Sequence, residues 1–335
     1  MIELVIFFVI LSLTVTYKFF VGEIVMRTTF IEQLVAYAHQ DASVYLLTAD
    51  LGYSVIEPFK QAFPDRFINV GIAEQNMIGI AAGLAMRGKK VIAYSIIPFI
   101  TMRCFEQIRN NICYQNMTVK LVGVGGGLSY GSLGHTHHAI DDIAIMNVLA
   151  HMNIVAPASR YEAQALIPDF FSQPGPGYLR LANTDETFSY SELCRPQLGK
   201  AFEIIPHDEH LIIATSNALD LAYKVQTELA ALGVDMGLVS AHTLKPFDGD
   251  FFEQKKATLK TVITIEEHSV IGGLGSIVAS VLQAQNMHYV ALKVFGIRDV
   301  YAHTAGNRKD LLELVGLTPC VIVNAIQRNN SIGAV

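Results

Sequence analysis

A chain of 335 residues with 51% hydrophobic and 16% charged residues has apolar material for about two ordinary domains, and that balance excludes a disordered chain. Its formal charge is −6 and its 24 basic residues are scattered, which excludes the positive stripe of a nucleic-acid-binding surface. Four cysteines (Cys104, Cys113, Cys194, Cys320) lack CxxC spacing, which argues against a zinc finger and predicts free thiols in a reducing, cytoplasmic setting.

Residues 1–25 stand apart. The uncharged run from Leu4 to Val15 is about 12 residues, short of the roughly 20 that a bilayer span requires. A basic n-region and a small-residue cleavage site are both missing. The segment reads as a weak membrane anchor, a hydrophobic interaction segment, or an extension upstream of a start at Met26. Helical patterning that begins directly after Met26 favours the last.

From Thr28 onward, helix-period stretches alternate with short β-branched runs. Helices are predicted over 28–40, from Pro58 to Phe63, and over 74–86, 99–114, 141–150 and 161–171. Strands are predicted over 44–48, 67–70, 91–94, 119–124, 154–156 and 178–181. Continuous apolar strands separated by helices predict a parallel sheet covered on both faces. Residues 183–199 lose this periodicity and read as a linker. A second series follows, with strands over 211–214, 235–240, 261–265 and 290–294 and helices over 218–232, 275–285 and 309–315. The expected fold class is α/β in two domains, 26–183 and 200–328, each a mostly parallel sheet flanked by helices and joined through 184–199.

Three segments carry candidate chemistry. In Gly71-Ile72-Ala73-Glu74-Gln75-Asn76 a strand ends, glycine turns the chain, and a carboxylate reaches the first turn of an apolar helix. There Glu74 either satisfies free N–H groups or stands ready for proton exchange at the carboxyl edge of a parallel sheet. In Tyr94–Gln107 a strand end leads to Pro98 and Phe99. That ring is either core or a stacking surface for a flat heterocycle. A glycine loop, Gly123 to Gly127, then runs to Gly134-His135-Thr136-His137-His138 and to Asp141 and Asp142. The histidines invite a metal reading, but no HxxxH or HExxH spacing supplies a ligand set, and no metal site is assigned. An imidazole in such a loop suits polarisation of a carbonyl or hydroxyl.

In this order, these segments resemble the pyrimidine-binding domain of transketolases and 1-deoxyxylulose-5-phosphate synthases. His242-Thr243-Leu244-Lys245-Pro246, Ile265-Glu266-Glu267-His268 and Gly272-Gly273-Leu274-Gly275-Ser276 resemble the C-terminal domain of the same family. The resemblance covers residues 26–327. It implies a thiamine-diphosphate enzyme that transfers a two-carbon ketol unit from a ketose donor to an aldehyde or keto-sugar acceptor. It implies that Glu74 hydrogen-bonds N1′ of the aminopyrimidine, that Phe99 stacks on that ring, and that Ile96, Met102 and Arg103 complete the pocket. His137 is implied to face the substrate, with Arg27, His138 and Arg180 as further substrate contacts.

Departures from the family pattern narrow this. Leu133 stands where sugar-phosphate enzymes carry an Asp, glycine (Gly125 or Gly126) replaces a basic residue, and Asn183 replaces an arginine close to Arg180. Lost charge-assisted contacts, each roughly 1.5–3 kcal/mol, predict an acceptor other than a simple sugar phosphate. The Gly-Asp-Gly motif that holds Mg²⁺ and the diphosphate is also missing. Asp248-Gly249-Asp250 lacks the strand-to-helix context. A split enzyme is therefore expected: a separate subunit holds Mg²⁺ and the diphosphate, and the two chains pair as α2β2. The competing readings are the β-subunit of a 2-oxo acid dehydrogenase E1, a pyruvate-decarboxylating synthase, and a non-catalytic partner of a complete transketolase.

Overall fold

The computed structural model describes residues 26–182 and 195–328. Six strands belong to the first half: β1 (Val44–Thr48), β2 (Phe67–Asn69), β3 (Lys90–Ile96), β4 (Val119–Val124), β5 (Asn153–Val155) and β6 (Gly177–Leu181). Six belong to the second: β7 (Phe202–Ile205), β8 (His210–Ala214), β9 (Gly237–Ser240), β10 (Thr243–Lys245), β11 (Thr261–Ser269) and β12 (Ala291–Ile297). The first sheet has the order β10-β5-β6-β4-β3-β1-β2, and the second β12-β11-β8-β9-β7. All pairings are parallel except the two edge pairs, β10 with β5 and β7 with β9.

Burial explains why the central strands are apolar throughout. Every residue of β4 and β6 is buried, because helices cover both faces of the sheet. On one face lie Met77 and Ile78 of the helix Glu74–Met86, with Ile97, Ile100 and Leu121. On the other lie Met26, Phe30 and Leu34 of the helix over 26–40, with Tyr94 and Phe170. Ring stacking of Phe30 on Tyr94, with centroids 5.5 Å apart, fixes that second helix.

The first cluster continues into the second half through Ile213, Val239, Leu244 and Val262. The two halves are thus not separate bodies: β10, from the second, completes the sheet of the first. Neither edge strand is predicted from the sequence, since each is short and pairs against the parallel grain. Lys245 ties the crossing down, donating to the carbonyls of Asn147 and Leu149 at 2.6 Å each. Of the predicted linker, residues 184–194 lie outside the described residues, as do Asn183 and the leader 1–25.

The predicted helix over 99–114 is the main local departure. Instead a short helix Ile97–Ile100 ends where the Thr101 hydroxyl donates to the Ile97 carbonyl at 2.6 Å. The Thr101 N–H donates to the same carbonyl at 2.9 Å, so hydroxyl and backbone share that acceptor where the helix ends. A turn follows, and the chain resumes as a short helix, Phe105–Gln107, that continues as a π-helical stretch, Ile108–Cys113.

Candidate active site

The site is built at the carboxyl edge of the first sheet, where β2, β3 and β4 hand over to the helix Glu74–Met86, the helix Ile97–Ile100 and the glycine loop. Open α/β sheets bind ligands along this edge. Glu74 opens its helix next to an N-cap residue, Ala73, that provides no side-chain cap, so the carboxylate meets the positive end of the helix. It is 2% exposed. Arg103 donates to its Oε2 from Nη1 at 2.7 Å.

The helix break puts Arg103 there. Gln75 Nε2 donates to the Arg103 carbonyl at 2.9 Å, which holds the turn against the helix of Glu74. The guanidinium then lies over the Phe99 ring, 4.3 Å from its centroid. Phe99 in turn meets the edge of the His137 ring at 5.1 Å and 69°, and Tyr130 meets His137 at 6.5 Å and 90°. Glu74, Arg103, Phe99 and His137 thus form one contiguous chain of contacts.

Burial lowers the pKa of His137, so its imidazole is neutral at neutral pH and suited to donate or accept at a substrate oxygen. Thr136 Oγ1 lies 3.0 Å from its Nδ1. Burial, followed by the Glu74 charge, pushes the Cys104 thiol up to about 12, so this neighbour is an inert hydrophobe rather than a nucleophile.

The glycine loop explains one departure noted in the sequence. Gly125 has φ +87°, and a Cβ there would fall 2.2 Å from the Tyr130 ring. A Cβ on Gly126 would fall 2.7 Å from the guanidinium of Arg180. A basic side chain at either position conflicts with the residues that support the loop.

Arg180 is a correction. Instead of reaching a substrate it is 1% exposed, donating from Nε to Asp142 at 2.9 Å and from Nη2 to the carbonyls of Ala139 (3.0 Å) and Glu267 (3.3 Å). Tyr178 donates to the same carboxylate oxygen at 2.6 Å. His138 is a second correction. It is buried, with Nε2 3.5 Å from the Gly131 carbonyl, at the extended residue that ends the turn His135–His137. Burial holds its pKa down as well.

Other predicted residues are placed differently from one another. Met102 is exposed in the turn beside Arg103. Ile96 ends β3 with the parity of Tyr94 and packs toward the helix over 26–40, together with Tyr130. Arg27 is half-buried on the first turn of that helix. Because the helix leads into β1, this turn also lies at the carboxyl edge, but on the opposite face from Glu74.

Sequence reasoning missed the supports of the His137 loop. Glu267 Oε1 accepts from the Leu128 N–H at 2.6 Å, and Arg308 pairs with Glu267 at 2.7 Å. Gly306 N–H donates to the Gly131 carbonyl at 3.3 Å. The signal was present in Glu266-Glu267-His268, three polar residues continuing a buried strand, which require partners.

Among the described residues, no three His, Cys, Asp or Glu side chains come together to hold a metal ion. A buried carboxylate beside an aromatic face is chemically suited to a flat, hydrogen-bonding heterocycle such as the aminopyrimidine of thiamine diphosphate. A flat donor, the Arg103 guanidinium, already rests there on the ring face and on the carboxylate.

Residues 22–185 match the family Transketolase, pyrimidine binding domain, and residues 199–322 match Transketolase, C-terminal domain. The chain is 34% identical over 269 residues to one of the subunits of the apulose-4-phosphate transketolase of Actinobacillus succinogenes, covering 80% of this chain and 86% of that protein. It is 35% identical over 301 residues to 6-deoxy-6-sulfo-D-fructose transketolase subunit SqwH of Clostridium sp. (strain MSTE9), covering 90% and 92%. Among solved structures it is similar to a split gene transketolase described as an inactive beta4 tetramer, with a TM-score of 0.80 and 33% identity over 92% of this chain and 99% of that one. With both domains matched in order and relatives aligned along nearly their full length, the chain belongs to the transketolase family.

Proposed function

We propose that this chain is one subunit of a cytoplasmic, thiamine-diphosphate-dependent transketolase that moves a two-carbon ketol unit from a ketose donor to an aldehyde- or keto-sugar acceptor. The observation that carries the reading is the juxtaposition of a buried carboxylate at a helix N-terminus, an aromatic face and a neutral imidazole. Glu74 holds or releases a proton at the pyrimidine N1′, Phe99 stacks on the ring, and Met102 forms an apolar rim. His137 faces the substrate oxygen on which charge develops, where a neutral donor is effective in a water-poor site. Thiamine diphosphate, when bound, supplies the carbanion chemistry that protein side chains lack.

A separate subunit with a Gly-Asp-Gly motif holds Mg²⁺ and the diphosphate, and the two chains pair as α2β2. Support comes from two relatives that are named as transketolase subunits and from the lack of that motif here. Arg27, at the same sheet edge, is the cation assigned to the anionic end of the substrate. The acceptor differs from a simple sugar phosphate. Leu133 is exposed where an Asp would read a hydroxyl, Gly125 and Gly126 have no room for a base, and Arg180 is consumed inside the fold.

The test is reconstitution with the partner subunit and a ketose donor. Glu74→Ala abolishes ketol transfer if the carboxylate acts on the cofactor, whereas a non-catalytic scaffold tolerates the change. Ribose 5-phosphate is expected to be a poor acceptor in the same assay, and efficient turnover of it overturns the acceptor reading.

A further inference from the structure

Arg103 occupies both contact points of the pyrimidine slot at once. One end of its guanidinium donates to Glu74 at 2.7 Å and its plane lies 4.3 Å from the Phe99 centroid. The aminopyrimidine needs the same carboxylate and the same ring, so the two groups compete. Backbone and side chain of Arg103 are held very differently. The N–H donates to the Pro98 carbonyl at 3.3 Å and the carbonyl accepts from Gln75 at 2.9 Å, while the side chain is 43% exposed. Rotation about side-chain bonds alone carries the guanidinium into water, where it is well solvated.

Resting on the cofactor assignment above, we infer that Arg103 is a displaceable plug of the pyrimidine slot, rather than one of the groups that hold the bound cofactor. In the free chain it satisfies a carboxylate that would otherwise be buried without a partner, which is costly. On cofactor entry the pyrimidine takes over the hydrogen bond and the stacking face together. A proton shared between the Glu74 carboxyl and N1′ takes the place of the guanidinium N–H, and the pyrimidine plane takes the place of the guanidinium plane on Phe99. A ligand able to make only one of the two contacts does not displace the plug, so the free chain screens for a flat, hydrogen-bonding heterocycle. Affinity is reduced by the fraction of time the slot is plugged.

The probe is thiamine, which carries the pyrimidine without the diphosphate, titrated by calorimetry into the full chain. Arg103→Met, which keeps a flexible stem and removes the cation, is expected to bind thiamine at least about tenfold tighter than the wild type. Arg103→Lys, a cation without a plane to rest on Phe99, falls between them. In the wild type, thiamine must shift the side-chain Nε–H resonance of Arg103 and leave that of Arg180 unmoved. A silent Arg103 resonance at saturating thiamine overturns the plug, and this readout requires no variant to fold. Binding by Arg103→Met no tighter than the wild type also overturns it. The slot assignment then survives if Phe99→Ala weakens the binding that remains, and falls with the plug if Phe99→Ala has no effect.

Discussion

Two arginine–carboxylate pairs of almost equal length serve opposite purposes in this molecule. Arg103 meets Glu74 at 2.7 Å and Arg180 meets Asp142 at 2.9 Å. Around Asp142 both donors are buried: Tyr178 donates to it, and Arg180 also donates from Nη2 to backbone carbonyls from both halves of the chain. Around Glu74 one partner stands in water and can leave. Distance does not separate a scaffold pair from a site pair. The freedom of one member to exchange does.

Breaking the sealed pair should have the largest effect. Asp142→Ala leaves the Arg180 charge buried and Tyr178 without its acceptor, and should destabilise the fold by about 3–5 kcal/mol in denaturant unfolding. Next comes Glu74→Gln, which should reverse the signature. Turnover in the reconstituted enzyme should fall by about 10²–10⁴-fold, on the scale of a lost proton-transfer group. Stability should change by about 1 kcal/mol or less, since its ion-pair partner is exposed. If the two substitutions gave the same loss of stability, the distinction between the pairs would be wrong.

Lys120 sharpens the comparison from a third side. It is as buried as Arg180, but its ammonium donates to the Gly175 carbonyl at 2.9 Å and faces the Phe170 ring at 5.0 Å. Burial, helped by the Lys90 charge, lowers its pKa from 10.5 to about 8. The unfolded chain therefore holds this proton more tightly, and stability should rise with pH between about 8 and 10.5 and be insensitive to this group below 8. Lys120→Met should remove that rise and be the more stable protein at pH 7. Parallel stability–pH curves for the two proteins would show that the ammonium is not penalised.

Much of the first domain was legible because its signals are local. The runs at β1 and β4 and the helix Glu74–Met86 fall where periodicity places them. The edge strands β7 and β10 were not, since each is specified by the partner it meets and not by its own pattern. The predicted helix over 99–114 shows the same limit at the site. Its apolar spacing suits one continuous helix, and the turn that carries Arg103 back onto Glu74 is held by Gln75 from another helix. Arg180 was assigned to the substrate because it lies close to Asn183, where the family resemblance implies an arginine. Only the fold shows Asp142, 38 positions away, waiting for it.

The smallest effect concerns Phe99, and its size depends on Arg103. Removing an aromatic stacking partner ordinarily costs roughly 0.5–1.5 kcal/mol beyond buried area. Here the ring supports the guanidinium in the free chain as well as the pyrimidine in the complex. Phe99→Ala therefore weakens both states, and part of its cost to thiamine diphosphate affinity should cancel. In an Arg103→Met background nothing rests on the ring before the cofactor arrives, so the same substitution should cost the full amount. A double-mutant cycle on the dissociation constant isolates that coupling. Additive losses would mean that Phe99 never serves both groups, and that the slot is not shared.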